Sequence, residues 1–253
     1  MLSWSNTSST GASQTVAVQT AYINATQSGW FVFTPTAMNL SANGGGANLS
    51  INTAERTAST CYMRGFSEHL RVQTSSGIPW FHRRICFTLR GATAFNNFST
   101  TDTPTQTNLN YVDTSNGMER LWMNLTVNAS ANTITAQKSL LFKGAEGADW
   151  NDPILAPVDT TRVDLKYDKT FVYRSGNASG TLKEKKIWHP MNKNLVYGDD
   201  ESGEGMTDTY YSTFAKPGMG DYFIVDIMQA GVGGGTGDIL NVFSNSTLYW
   251  HER

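Results

Sequence analysis

The chain has 253 residues, 39% of them apolar and 16% charged, with a formal net charge of −2. It is long enough to bury a core, and the weak net charge removes the classes defined by a strong acidic or basic bias. No run approaches the roughly 18–20 apolar residues of a membrane-spanning helix, and two cysteines, Cys61 and Cys86, exclude a disulfide scaffold and a four-cysteine metal site.

In chain order, strand-like segments fall at 30–34, 62–74, 80–90, 120–127, 163–173, 182–189, 222–228 and 239–250. In 80–90, Phe81, Ile85, Phe87 and Leu89 alternate with His82, Arg84, Thr88 and Arg90, which predicts a strand with a basic outer face. In 120–127, Leu121, Met123, Leu125 and Val127 share one face, opposite Arg120, Trp122, Asn124 and Thr126. No long window carries a capped 3.6-residue apolar repeat, so helices are expected to be short and confined to loops. The gaps 93–116, 133–161 and 191–217 are long, and loops beyond about 15 residues are uncommon in compact domains unless they have a task. No internal repeat stands out, although 44–46 and 231–237 are rich in glycine. About eight strands with long, uneven connections predict one all-β domain over 1–253, an eight-stranded jelly-roll sandwich with long inter-strand loops.

Catalytic patterns are missing. The glycine-rich run at 231–237 lacks the Gly-Lys-Ser/Thr ending of a phosphate loop and sits between two strands. His69, His82, His189 and His251 have no metal-ligand spacing, and no Gly-x-Ser-x-Gly elbow is present. Asp199, Asp200, Glu201, Glu204 and Asp208 form an acidic stretch that suits a hard cation or a solvated, subunit-contacting loop. The chain is expected to be no enzyme and to carry no cofactor, although carboxylates from separate strands could still meet as a glycosidase pair. Nine Asn-x-Ser/Thr sequons (Asn6, Asn24, Asn39, Asn48, Asn97, Asn124, Asn128, Asn177 and Asn245) invite a glycoprotein reading, but in a chain this rich in Asn, Ser and Thr many arise by chance. The N-terminal residues do not follow the basic-then-apolar pattern of a secretory leader, so a soluble, non-secreted protein is expected.

Charge is distributed unevenly. Residues 56–90 hold six arginines (Arg56, Arg64, Arg71, Arg83, Arg84 and Arg90) against one acid, Glu68, a balance of 6 − 1 = +5. Arginines interleaved with Tyr62, Phe66, Trp80, Phe81 and His82 suit a single-stranded nucleic-acid groove, in which cations meet phosphates and rings stack on bases. They equally suit a core filled by the aromatics, with the arginines paired to acidic loops.

Four blocks carry a resemblance: RTASTCYMRGFSE at 56–68, IPWFHRRICF at 78–87, GMGDYFIVD at 218–226 and LYWHE at 248–252. In this order they resemble the coat proteins of genomoviruses, small circular single-stranded DNA viruses, with more distant kinship to geminivirus coat proteins. The resemblance implies a viral jelly roll and an icosahedral shell of about sixty copies that packages the genome. It supplies no catalytic residues. It implies self-association and a single-stranded DNA partner, no membrane, and a place in the virion, with assembly in the host nucleus. The long loops are then expected to make most exterior and inter-subunit contacts. The expected DNA contacts are Arg64, Arg71, Trp80, His82, Arg83 and Arg84, with help from Lys183, Lys185 and Lys186. Because Arg83 and Arg84 alternate, at most one of the two should reach the genome. The sequons should be unmodified and both cysteines reduced. A basic, disordered arm is expected before Met1, since tens of phosphates per subunit exceed what this chain can neutralise. The competing class is a secreted carbohydrate-binding sandwich.

Overall fold

The computed structural model describes residues 1–252 apart from 44, 92 and 109. The protein is mostly β, and among the described residues fourteen strands accompany one α-helix and one 3-10 helix. The strands are β1 (Ser3–Thr7), β2 (Ser13–Val18), β3 (Ala21–Asn24), β4 (Gly29–Phe33), β5 (Thr60–Thr74), β6 (Trp80–Leu89) and β7 (Val112–Thr114). They continue with β8 (Gly117–Trp122), β9 (Asp164–Tyr173), β10 (Leu182–Val196), β11 (Asp200–Ser202), β12 (Gly205–Thr207), β13 (Asp221–Ala230) and β14 (Ile239–His251). The 3-10 helix spans Leu125–Val127 and α1 spans Ala131–Leu141. No described helix is long and apolar enough to cross a membrane.

Two four-stranded antiparallel sheets form the body, the first in order β10-β5-β14-β3 and the second β4-β13-β6-β9. Their inner faces meet in two apolar clusters. One gathers Phe33, Met63, Phe66, Cys86, Ile224 and Leu248, and the other Leu70, Val72, Trp80, Met228, Leu240 and Val242. Period-two alternation explains the membership, since inward positions on β5 read Phe66, Glu68, Leu70, Val72 and those on β13 read Tyr222, Ile224, Asp226, Met228.

A third layer covers the outer face of the second sheet. There Trp30, Val32, Ile85, Phe87, Phe223, Val225 and Ile227 pack on Phe95, Met123, Leu125, Leu141, Phe142 and Ile154. Strands β6 and β13 are therefore buried on both faces. A smaller sheet, β2-β1-β8-β7, includes a parallel pairing of β1 with β8. The segment 133–161, expected to lie outside as a contact loop, supplies Leu141, Phe142, Ile154 and Ala156 to this core. Leu155 between them is 80% exposed.

Helix α1, eleven residues in the connection between β8 and β9, fits the expectation of short helices confined to loops, and its buried face explains why no apolar repeat marks it in the sequence. That face presents Thr133, Gln137 and Leu141, so two of its three inward positions are polar and no apolar stripe exists to be read. Gln137 accepts from Trp30 Nε1 at 2.7 Å and donates to Ala94 O at 2.9 Å. Ser130 at the N-cap makes no capping bond. Asp102, from another loop, accepts instead from the backbone N–H groups of Asn132 at 3.0 Å and Thr133 at 2.7 Å. Partial burial works against the Asp102 carboxylate, but the hydrogen bonds from Thr133 and Asn132 outweigh it and lower its pKa.

Candidate nucleic-acid interface

Among the described residues no layer covers the outer face of the first sheet. Tyr62, Arg64, His69 and Arg71 of β5 alternate with buried neighbours, Glu184, Lys186 and Trp188 of β10 are exposed on either side of half-buried Lys185 and Ile187, and Asn245, Thr247 and Tyr249 of β14 are exposed beside them. Register brings these residues together. Trp188 pairs with Ser67, Lys186 with His69 and Glu184 with Arg71 on one side of β5, while Tyr249 pairs with Gly65 and Phe243 with Arg71 on the other.

The aromatic groups form a platform. Trp188 and Tyr249 are 44% and 47% exposed, with ring centroids 5.7 Å apart and planes tilted by 59°. Gly65 makes room for them, because a Cβ there would stand 2.5 Å from Trp188 Cζ2 and 2.7 Å from His189 O. Tyr62 and His251 form a second ring pair at 6.2 Å, and the Arg71 guanidinium lies 4.1 Å over the Phe243 ring. Arg64 donates to Asn192 Oδ1, and His69 lies 3.6 Å from Glu184. Three fixed cations, Arg64, Arg71 and Lys186, thus share this face with several exposed rings and one carboxylate.

The structure divides the residues expected from sequence to contact DNA. Arg64, Arg71 and Lys186 lie on the open face. Lys183 and Lys185 are on the opposite side of β10, paired with inward-facing Val72 and Leu70. Trp80, His82 and Arg84 have no exposure and Arg83 has 6%, which removes these four from any surface contact. The expected basic outer face of 80–90 is corrected accordingly: His82 and Arg84 point between the sheets. Trp80 fills the inter-sheet core, and Arg83 points into the covering layer, where it meets Asp168 at 2.6 Å and the carbonyls of Pro153 and Ala156.

Arg84 is buried because it has partners there. Its Nε and Nη2 donate to Asp226 at 2.7 and 2.9 Å, and its Nη1 donates to Glu68. Arg120 donates to Glu68 at 3.0 Å and to Asp226 at 3.1 Å, with its guanidinium over the rings of Trp122 and Phe33. His82 Nε2 lies 2.7 Å from Asp226 and its Nδ1 3.1 Å from the Tyr173 hydroxyl. Two guanidiniums and two carboxylates make a neutral layer between the apolar clusters. Burial works to raise the Asp226 and Glu68 pKa values, yet Arg84 with His82 holds Asp226, and Arg84 with Arg120 holds Glu68, below the usual carboxylate range. Neighbouring His189, desolvated and close to Arg84, is pushed down to about 4.

The acidic stretch also divides. Asp199 binds Arg56 through both oxygens at 2.6 and 2.7 Å, and Asp208 accepts from Leu40 N and Ser41 Oγ. Asp200, Glu201 and Glu204 belong to the exposed β11–β12 hairpin. No group of three or more His, Cys, Asp or Glu side chains among the described residues is placed to hold a metal ion. Cys61 and Cys86 are buried free thiols, and burial raises both pKa values, that of Cys61 to about 12. Asn6, Asn48, Asn124 and Asn128 are buried and hydrogen-bonded, so four of the sequons offer no side chain to a glycan in this fold.

Trp188, Tyr249, His251 and Phe243 were not among the expected contacts. For Trp188 the signal was the alternation Glu184, Lys186, Trp188 along an edge strand, in which a large ring occupies an outward position. No family model matches the chain, and comparison with curated proteins returned no relative.

Proposed function

We propose that the protein is a shell-forming coat protein with a jelly-roll fold that packages single-stranded DNA on the outer face of its first sheet. Two four-stranded sheets in the orders β10-β5-β14-β3 and β4-β13-β6-β9 support the jelly-roll reading, since each sheet draws its strands from both halves of the chain. The observation that carries the function is the bare sheet face on which Trp188, Tyr249, Tyr62 and His251 stand among Arg64, Arg71 and Lys186. Rings that stack on any base, set beside cations that meet phosphates, bind single strands without regard to sequence. The paired rings alone would also suit a sugar-binding sandwich. The cations among them and the buried sequons favour nucleic acid over a secreted lectin. We assign the chain no catalytic role.

Light scattering and negative-stain imaging across salt and pH test the assembly. Closed particles are expected, and a monodisperse monomer or dimer under every folding condition would overturn the reading. For the DNA face, Trp188→Ala should weaken oligo(dT) binding by about 1–3 kcal/mol per stacked base, roughly 5- to 150-fold, as read by fluorescence anisotropy. Unchanged affinity would remove the platform from the interface.

A further inference from the structure

Along one side of the sandwich, β9 and β10 are the edge strands of the two sheets, and their inward-facing residues meet at its open mouth. Lys169 and Phe171 pair with Arg84 and His82 on β6, which places them on the inner face of β9. Lys183 and Lys185 pair with Val72 and Leu70, which places them on the inner face of β10. The Lys185 ammonium lies 4.1 Å from the centroid of the Phe171 ring and that of Lys169 lies 5.5 Å from the same centroid. Burial, followed by the charges of Lys169 and Lys183, depresses the Lys185 pKa, as expected where like charges crowd at a partly desolvated site.

Among the described residues none of the three lysines forms an ion pair. Glu184 faces the other side of β10 beside His69, and Asp168 faces the other side of β9 and holds Arg83. Deeper in the sandwich, Glu68 and Asp226 are matched by Arg84 and Arg120. Lysines on edge strands also discourage edge-to-edge pairing. That role needs side chains directed into solvent, whereas Lys185 is half-buried against an aromatic floor.

We propose that this seam is an oxyanion site that holds a phosphodiester group of the same single strand that lies on the outer face of the sheet. The inference rests on the proposed DNA-binding reading. Because Lys186 points to the outer face and Lys183 and Lys185 to the inner one, the free edge of β10 offers cations on both sides, and a strand stacked on Trp188 can turn over that edge into the seam. Ammonium groups held against a ring and short of counter-charge are suited to phosphate oxygens.

The test compares the wild type, the triple variant Lys169→Gln/Lys183→Gln/Lys185→Gln and Trp188→Ala, titrated with oligo(dT) over a salt series. Melting curves for each protein confirm that it is folded. Each phosphate contact of a single strand contributes about 0.7 to the slope of log affinity against log salt, so the triple variant, which gives up the one phosphodiester of the seam, should lose about 0.7 from that slope. A control with the same loss of charge, Lys138→Gln/Lys143→Gln/Lys216→Gln, should keep it. An unchanged slope in the seam variant, with binding still dependent on Trp188, overturns the seam and leaves the DNA face standing. Absence of oligo(dT) binding by the wild type overturns the DNA-binding reading itself. Inorganic phosphate is the second probe. If it raises the melting temperature of the wild type alone while the oligo(dT) slope is unchanged, the site takes a free oxyanion and the phosphodiester assignment fails. Loss of particle assembly with an unchanged slope assigns the seam to carboxylates of a neighbouring copy, which also overturns it.

Discussion

Replacing Asp226 by Asn is expected to destabilise the protein by about 3–5 kcal/mol, the usual effect of removing one partner from a buried ion network. Asp226 accepts from Arg84, Arg120 and His82 and is fully enclosed, so the substitution leaves two guanidiniums with Glu68 as their one remaining carboxylate. An amide also turns a donor toward donors. Urea denaturation at neutral pH measures the loss, and a change below about 1 kcal/mol would show that the network relaxes around the amide. The same groups set a pH dependence. Asp226 and Glu68 have folded pKa values below their unfolded ones, so their contribution is complete above the unfolded carboxylate range and fades as pH falls toward the folded values. His189 acts in the same direction, since its folded value near 4 lies below the ordinary histidine range and acid favours the unfolded chain. Asp221 acts against them: burial raises it to about 6, so between the unfolded carboxylate range and that value, rising pH favours the unfolded chain. Asp221→Asn should therefore steepen the gain in stability between about pH 4 and 6. An unchanged slope in urea midpoints would contradict this assignment.

Arg56→Met is expected to have an effect of similar size, about 3–5 kcal/mol, by leaving Asp199 buried without its cation. Arg56 has no exposure and lies 3.7 Å over the Tyr197 ring. Besides Asp199, it donates to the carbonyls of Met38, Ala58 and Thr209 at 2.8, 3.1 and 2.9 Å. One guanidinium thus ties together three stretches of chain that have little regular structure of their own. The loss should be local as well as global. Limited proteolysis of the variant should cut within 199–217 under conditions that leave the wild type intact. Equal resistance of the two proteins would mean that Asp199 and the carbonyls find other partners.

Long strands with strict alternation were legible from sequence: 62–74, 80–90, 163–173 and 239–250 lie within or nearly match β5, β6, β9 and β14. β3 escaped notice because four residues are too few to display a period, yet it completes the first sheet by pairing with β14. The alternation at 120–127 was real but only part of it is strand. After β8 the chain turns through a 3-10 helix in which Thr126 N–H donates to the Asn124 side chain, and Met123 and Leu125 still reach the core. The interface was harder to read because charge was taken as a sign of exposure. Arg84 and Arg120 break that rule since each has two carboxylate partners, Glu68 on β5 and Asp226 on β13, drawn from two different sheets, a pairing that lives in tertiary structure. A trace of it was present in the sequence. Glu68 is the single acid in a basic segment, and Asp226 is the single charge in the apolar run 222–228. Of the two readings open for the basic segment, core-filling aromatics and paired arginines describe Trp80, Phe66, Arg56 and Arg84, while Arg64 and Arg71 stand exposed on the open face.

The last two long strands, β13 and β14, occupy interior places in their sheets: β13 lies between β4 and β6, and β14 between β5 and β3. Residues 21–24 therefore find their partner only at 239–242, more than two hundred positions later. The first sheet cannot be completed before β14 has left the ribosome, because until then β3 has no strand of that sheet to pair with and β5 has β10 alone, and the second sheet waits for β13 to join β4 to β6. Loop closure over such separations is slow, and unpaired strand edges are sticky while they wait. The sandwich is thus expected to form only once β14 has been made, in a single late step. A chain interrupted before β14 would be a substrate for chaperones and not a smaller version of the domain.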